Sequence, residues 1–313
     1  MTVISLVVPA SLDGVRVDKA VALVADLSRS AVDRLIGEGG VEVDGTAVTN
    51  RRVVLRLGQQ LRVAPSPVRI RRPEGDPGVV FDVVYEDAEV IVVDKPAGLV
   101  VHPGAGHHHR TLVNGLLARY PELTLLSAEV GADEMRPGIV HRLDRGTSGL
   151  MVVARTPGAY SSLVAQLRER RVSRRYQALV IGRVDADEGV VDAPIGRSTS
   201  SPTRMAVARK GKEARTHYQV VRRFDHPADA TLLDVLLDTG RTHQIRVHLS
   251  AIGHPVVGDD AYGRDRTLAG STLTRPFLHA AALSFECPAD GQVFSFESPL
   301  AADLRSQLDA LRP

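Results

Sequence analysis

Cysteine is nearly absent from this chain: its 313 residues hold one, Cys287. A lone thiol excludes an intramolecular disulfide framework and any cysteine-rich zinc site. Long apolar runs are missing too. Stretches such as residues 90–93 are strand-sized, far short of the roughly 20 apolar residues that a membrane helix needs. The opening Met1-Thr2-Val3-Ile4-Ser5 has neither the basic start nor the long apolar core of a secretory signal. These absences predict a cytoplasmic chain with no membrane segment. Excess charge of one sign is lacking as well. With 39 Lys and Arg against 37 Asp and Glu, the net charge of +2 does not by itself announce a nucleic-acid partner.

What is present has the balance of a folded protein. Apolar residues make up 43% and charged residues 24%, and the length leaves room for more than one domain and a sizeable core. Charge is distributed unevenly. Arg51, Arg52, Arg56, Arg62, Arg69, Arg71 and Arg72 fall in one tract without a single acid. Arg168, Arg170, Arg171, Arg174 and Arg175 form a second, interrupted only by Glu169. One such tract reads equally as a solvated face; two in a chain of low net charge point to a track for phosphates.

The first sixty or so residues read as a small unit of their own. Val17, Val21 and Val24 recur at helical spacing, and Ser28 offers an N-cap to a second stripe of Ala31, Val32, Leu35 and Ile36. Gly39-Gly40 ends that helix. Val41-Glu42-Val43 alternates like a strand, Asp44-Gly45 is a hairpin turn, and residues 46–48 and 53–63 supply further strands. The stretches Arg16-Val17-Asp18-Lys19, Ser28-Arg29-Ser30 and Gly39-Gly40-Val41-Glu42-Val43-Asp44-Gly45 resemble the small α/β RNA-binding domain named after ribosomal protein S-four. The resemblance implies RNA contacts at Arg16, Lys19, Arg29 and Arg34, in a domain over residues 1–64.

Pro65, Pro67, Pro73 and Pro77, mixed with Arg, Gly and Asp, predict an extended linker over residues 65–78. Beyond it, residues 79–85, 89–94, 150–154, 176–181 and 232–237 read as strands, and residues 159–169 and 242–252 as helices. Several strands follow one another without helices between them. A mixed, largely antiparallel α+β domain over residues 79–313 fits that order better than a doubly wound one.

Chemistry centres on Asp144. It sits between Arg142 and Arg145, ahead of the turn Gly146-Thr147-Ser148-Gly149 and an apolar strand. A carboxylate beside arginines is ordinarily an ion pair, although a loop feeding a buried strand is well placed for catalysis. The physics of the residues leaves both readings open.

The surrounding motif adds more. His141-Arg142-Leu143-Asp144-Arg145-Gly146-Thr147-Ser148-Gly149-Leu150 resembles the signature of the RluA/RluD family of RNA pseudouridine synthases. Three further segments match that family in the same order: Val93-Asp94-Lys95-Pro96-Ala97-Gly98-Leu99-Val100-Val101-His102-Pro103, then Arg175-Tyr176-Gln177-Ala178, then Thr239-Gly240-Arg241-Thr242-His243-Gln244-Ile245-Arg246-Val247-His248, followed by Gly253-His254-Pro255-Val256-Val257-Gly258-Asp259. The resemblance implies a catalytic Asp144, an Arg246 that pairs with it, and a Tyr176 ring that packs on the target base and can assist proton removal from C5. It further suggests that Arg142 occupies the space a flipped base vacates, and that Lys95, His102 and Arg241 contact phosphate or pocket. The implied reaction breaks the N1–C1′ bond of uridine, turns the base and joins C5 to C1′. It needs no cofactor and no metal. An ionised carboxylate serves either as nucleophile at the sugar or as base toward a sugar proton, and a positive neighbour keeps it ionised in a dry pocket.

On the predicted helix near Thr242, Ile245, Leu249 and Ile252 form the apolar stripe, leaving His243, Arg246 and Ser250 on another face. His107-His108-His109 lacks the cysteine or carboxylate company of a designed zinc site. Gly104-Ala105-Gly106 lacks the third glycine and lysine of a phosphate loop. The expected partner is RNA, in particular large-subunit ribosomal RNA or an assembling ribosomal particle. Three alternatives remain: a synthase for transfer RNA, a catalytically silent RNA-binding assembly factor, and a nucleoside hydrolase using Asp144.

Overall fold

A computed structural model of the chain describes residues 3–64, 72–104, 107, 109–201, 204–263, 268, 269, 271 and 273–312, without the side chains of Arg29, Ser30, Arg34 and Ala128. The chain divides into two compact units, Met1–Arg71 and Arg72–Pro313. The first contains strand β1 (Ile4–Val7), helices α1 (Val17–Ala25) and α2 (Arg29–Gly37), and strands β2 (Val41–Val43), β3 (Thr46–Ala47) and β4 (Gln60–Val63). The strands form one antiparallel sheet in the order β1-β4-β2-β3. Val17, Ala20 and Val21 of α1 and Val32, Leu35 and Ile36 of α2 are buried with Val41, Leu61 and Val63 in a core of their own. Ser28 Oγ accepts the Ala31 N–H at 3.4 Å, as an N-cap does. Asp44 and Gly45 both have positive φ, 51° and 75°, the geometry that a two-residue hairpin turn demands. The strand expected over residues 53–63 forms only as β4, because a turn around Gly58 takes up its first half and Val54 makes a single bridge to Arg16.

The second unit is built on a nine-stranded sheet. Its elements are β5 (Asp82–Glu86), β6 (Val90–Lys95), α3 (Leu112–Arg119), α4 (Leu123–Glu129), β7 (Ser148–Ala154), α5 (Pro157–Arg168), β8 (Ser173–Ile181) and β9 (Glu188–Asp192). They continue as β10 (Ile195–Arg197), β11 (Met205–Val207), β12 (Arg215–Phe224), β13 (Ala230–Leu237), α6 (Gln244–Ala251), β14 (Leu278–Glu286), β15 (Val293–Glu297) and α7 (Ala302–Asp309). Strand order is β5-β6-β7-β14-β8-β13-β12-β9, with β15 also on β14 and β10-β11 as a separate ribbon. Every pairing is antiparallel except β7 with β14. This is the mixed, largely antiparallel α+β sheet.

Strand β7 explains its own sequence. All seven of its residues are buried, so it reads as an unbroken apolar run rather than an alternation. Met151, Val152 and Val153 have no exposed surface, and burying each contributes about 1.5–3 kcal/mol. Helix α5 begins where Thr156 Oγ1 accepts the Ala159 N–H at 3.1 Å and Pro157 takes the first turn. The edge strands β5, β9 and β15 alternate between exposed and half-buried residues, as one-sided strands do.

Of the stretch expected as a linker, residues 65–71 lie outside the described residues. The rest is tied to α3. Asn114 Nδ2 donates to the Glu74 carbonyl at 2.8 Å, and Asp76 N–H donates to the Asn114 carbonyl at 2.8 Å. A Cβ at Gly75 would stand 2.9 Å from the Ala118 backbone. Residues 74–79 are therefore part of the second unit, and the strand expected from residue 79 begins at Asp82.

Candidate active site

The loop carrying Asp144 is fixed from several sides. Within it, the Thr147 N–H donates to the Asp144 carbonyl at 3.1 Å. The Gly98 N–H donates to the Arg145 carbonyl at 2.7 Å. Arg275, paired with Asp303, donates to the Gly146 carbonyl at 3.1 Å. His141 Nε2 accepts the Val152 N–H at 3.1 Å, which stitches the start of the motif to β7. Gly149 closes the arrangement. Its φ is +113°, and a Cβ there would stand 2.3 Å from the Ala280 carbonyl oxygen of β14, so only glycine lets the loop enter the sheet at this point.

Lys95 belongs to this scaffold, which corrects its expected role as a phosphate or pocket contact. Its relative exposure is 0%. Its Nζ donates to the carbonyls of Pro96 at 2.8 Å, Leu99 at 2.9 Å and Arg145 at 3.5 Å. Burial pulls the ammonium down to about 7, against the opposing pull of Asp144 and Asp94. A group with all its donors engaged inside the protein has none for a ligand.

Asp144 itself stays reachable, with 16% of its side chain exposed. Arg246, on α6, donates from Nη1 to Asp144 Oδ2 at 3.1 Å. The same guanidinium meets Asp259 through Nε at 2.7 Å and Nη2 at 2.8 Å. Burial works against the Arg246 cation, but Asp259 and then Asp144 outweigh it and raise its pKa. Asp259 has 0% side-chain exposure, and its Oδ1 also accepts the Ala261 N–H at 3.0 Å and the Tyr262 N–H at 3.2 Å. A bidentate pair of this kind sets the plane of the guanidinium. His243, in the left-handed conformation ahead of α6, brings Nε2 to 3.9 Å from the other Asp144 oxygen. Burial lowers its pKa although Asp144 opposes this. Its Nδ1 lies 2.8 Å from the Tyr262 hydroxyl, whose oxygen also accepts the Met205 N–H at 3.1 Å. The Tyr262 ring lies under the Arg246 guanidinium at 5.1 Å.

Helix α6 is held for this task by Gln244. Its Oε1 accepts from Thr239 Oγ1 at 2.8 Å and the Arg241 N–H at 3.0 Å, and its Nε2 donates to Thr216 Oγ1 at 2.9 Å and the Arg215 carbonyl at 3.0 Å. Ile245 and Leu249 are buried as the apolar stripe predicts, while Ile252 is exposed. Val247 and His248 are buried as well, so the helix is enclosed on more than one side and its two-faced reading was too simple.

Asp144, Tyr176, Arg142, Arg241 and Arg246 line one pocket, whose free volume is only about 50 Å³. Tyr176, on β8, is buried; burial raises its phenol, Asp144 reinforces this, and Arg174 opposes it. Arg142 is exposed and has no hydrogen-bond or ion-pair partner among the described residues. Arg241 donates through Nε to the Glu213 carbonyl at 2.8 Å. His102 lines an adjoining cavity of about 520 Å³ instead. Asp259 and Tyr262 complete the site without having been singled out from sequence. The available signal for Asp259 was its place at the end of the last segment that resembles the family, thirteen residues after Arg246.

In the first unit, Arg16 is held bidentately by Asp18, at 3.1 and 2.6 Å. Its expected RNA contact must displace that pair. Lys19 is exposed, and the side chains of Arg29 and Arg34 lie outside the described residues. The arginine tract is partly spent: Arg51 pairs with Asp33, Arg62 with Glu42 and Arg72 with Glu134. Arg69 and Arg71 lie outside the described residues, as does His108 of the histidine run and Ala105-Gly106 of the glycine-rich loop.

A sequence profile described as RNA pseudouridylate synthase matches residues 89–251, a span that holds Asp144, Tyr176 and Arg246. The chain belongs to this family. It is accordingly an isomerase that converts uridine to pseudouridine in RNA. The ribosomal large subunit pseudouridine synthase D of Nitrosomonas europaea is 45% identical over 315 residues, covering 99% of this chain and 88% of that protein. The protein of the same name from Vibrio parahaemolyticus is 43% identical, covering 96% of this chain and 91% of that one. Among solved structures, human RNA pseudouridylate synthase domain containing 1 is 29% identical with a TM-score of 0.53, over 72% of this chain and 86% of that one.

Proposed function

We propose that the enzyme isomerises particular uridines of large-subunit ribosomal RNA in the cytoplasm, with Asp144 as its catalytic carboxylate. One observation carries the assignment of Asp144. It is a largely buried yet reachable carboxylate whose charge is matched by Arg246, itself oriented by the fully buried Asp259. An ionised oxygen in such a setting attacks C1′ or takes the proton from C2′, and both routes use the same charge and placement. Each breaks N1–C1′ and forms C5–C1′, while C5 loses a proton and N1 gains one.

Tyr176 is buried in the pocket that holds Asp144, and burial raises its phenol against the pull of Arg174. Its role is to pack its ring on the base. Arg142, exposed and unpartnered beside Asp144, is suited to fill the gap that the flipped uridine leaves. The pocket that holds Asp144 is open on one side, so a flipped base can reach it from solvent. The ribosomal target rests on the names of the relatives, which match nearly the full chain including the first unit. There Lys19, Arg29 and Arg34, with Arg16 once freed from Asp18, are the proposed RNA contacts.

The test is to incubate the enzyme with large-subunit ribosomal RNA from cells lacking its gene and to map pseudouridine at each position. New pseudouridine at a few positions is expected. Release of free uracil would make the protein a hydrolase. Bound but unchanged RNA would make it a silent assembly factor.

A further inference from the structure

The 520 Å³ cavity beside the catalytic pocket is not lined by Asp144, Tyr176 or Arg246. Its volume falls within the roughly 300–1,000 Å³ of ordinary ligand sites. Six arginines line it, Arg136, Arg142, Arg168, Arg170, Arg174 and Arg241, against the acids Glu213 and Asp238. Internal pairs use some of that charge: Arg170 meets Glu213 at 2.7 Å and Arg136 meets Asp133 at 3.2 Å. Arg142 and Arg168 are exposed and unpartnered among the described residues.

Arg174 stands apart. It is only 7% exposed, yet among the described residues no carboxylate bonds to it. Its Nη2 donates to the Leu237 carbonyl at 3.2 Å, and its Nε is buried without a partner among the described residues. Desolvating a guanidinium and leaving donors unmet is costly unless an anion completes the site. Arg174 also lines both the cavity and the catalytic pocket, as do Arg142, Gly240 and Arg241.

Two imidazoles in the cavity lining are held in fixed tautomers. His141 accepts the Val152 N–H at Nε2, so its proton sits on Nδ1, which is buried and unpartnered. His102 Nδ1 faces the Pro103 carbonyl at 3.0 Å, and a carbonyl only accepts. Its Nε2 therefore presents a lone pair, also buried and unpartnered. A donor and an acceptor without partners among the described residues, both closed to solvent until the lining shifts, lie beside a cluster of cations and suit a nucleobase edge together with a phosphate. A free anion would have no use for the acceptor.

We propose that this cavity takes the nucleotide next to the target uridine, with Arg174 on the phosphate joining the two and His102 and His141 on the neighbouring base. The proposal rests on the pseudouridine synthase reading. It makes the enzyme sensitive to the identity of one flanking nucleotide, and not to the flipped uridine alone.

The experiment uses the full chain and an RNA hairpin containing one mapped target uridine. Each phosphate flanking that uridine is replaced in turn by an uncharged methylphosphonate, and each neighbouring nucleotide by an abasic one. Affinity and single-turnover conversion are measured for the wild type, Arg174→Gln, Arg174→Lys and His102→Phe. One methylphosphonate should weaken wild-type binding by about tenfold, the scale of a hydrogen bond to a charged group. The abasic change on the same side should weaken it several-fold. In Arg174→Gln that methylphosphonate should cost nothing further, and Arg174→Lys should regain part of the phosphate sensitivity. His102→Phe should blunt the abasic effect. Wild-type affinity unchanged by either methylphosphonate, or losses that simply add in Arg174→Gln, would overturn the proposal. If Arg174→Gln does not fold, the wild-type scan decides: losses from phosphate and base on one side support the subsite, and their absence refutes it. Conversion of the unmodified hairpin separates the two ideas. A failed isomerase reading shows as no product, whereas a failed subsite shows as product with no dependence on the neighbour.

Discussion

At the scale of the residue, Asp259 is fully buried and meets Arg246. Its Oδ2 accepts the Arg246 Nε at 2.7 Å, and its Oδ1 the Nη2 at 2.8 Å, which leaves Nη1 aimed at Asp144. Asp259→Asn keeps the volume but removes the charge and one acceptor. The Arg246 fork loses its rigid partner, and a catalytic group displaced by about 1 Å can cost on the order of 10²-fold in rate. Single-turnover conversion by Asp259→Asn should therefore fall by about 10- to 100-fold while RNA affinity changes little. The opposite pattern, weaker RNA binding with intact chemistry, would show that Asp259 does not position Arg246. For Arg246 itself, Lys restores the charge but not the planar fork, so Arg246→Lys should fall between wild type and Arg246→Ala. Equal loss in both variants would leave no role for the charge alone.

At the scale of the element, the loop that carries Asp144 depends on β7 and its neighbours. The His141 imidazole that joins loop to strand is pushed down to about 3 by burial, with Arg174 adding to the effect, against its ordinary value of 6.5. The folded state then binds fewer protons than the unfolded chain between those values. Stability from this group is fully present above pH 6.5 and is lost as the pH falls toward 3. The loss should reach about 2 kcal/mol by pH 5. His141→Gln, which does not titrate there, should be less stable at pH 7 but should lose less between pH 7 and 5. Urea unfolding at the two pH values checks this, and an equal acid loss in both proteins would assign it elsewhere. The loop and β7 were legible in sequence because an unbroken apolar run and a glycine-bounded turn are local signals. Elements such as β12 and β14 were not, since their burial is set by neighbours far along the chain. The arginine cluster shows the same limit. Arg171 meets Glu286 and Arg175 meets Glu297 and Asp234, all more than fifty residues away, so local sequence reads as free charge what the fold neutralises. Arg174, buried among them, gave no local sign of being different. Lys95 misled for a related reason, because nothing in its motif announces three backbone carbonyls waiting for its ammonium.

At the scale of the whole molecule, the two units have separate hydrophobic cores. Deleting residues 1–71 should leave the second unit folded while weakening RNA binding. Lys19, Arg52 and Arg56 are exposed cations in the deleted part. Losing even two phosphate contacts should flatten the slope of log affinity against log salt by about 1.5. An unchanged affinity and slope would remove the first unit from RNA recognition. The central claim, that this molecule isomerises uridine through Asp144, is tested most directly by comparing full-length wild type with Asp144→Asn on the mapped ribosomal RNA. Hydrogen release from C5 and RNA binding are followed in the same preparation. The account predicts that the Asn protein binds RNA with near-normal affinity and releases no C5 hydrogen above background. Substantial release by that variant would contradict it.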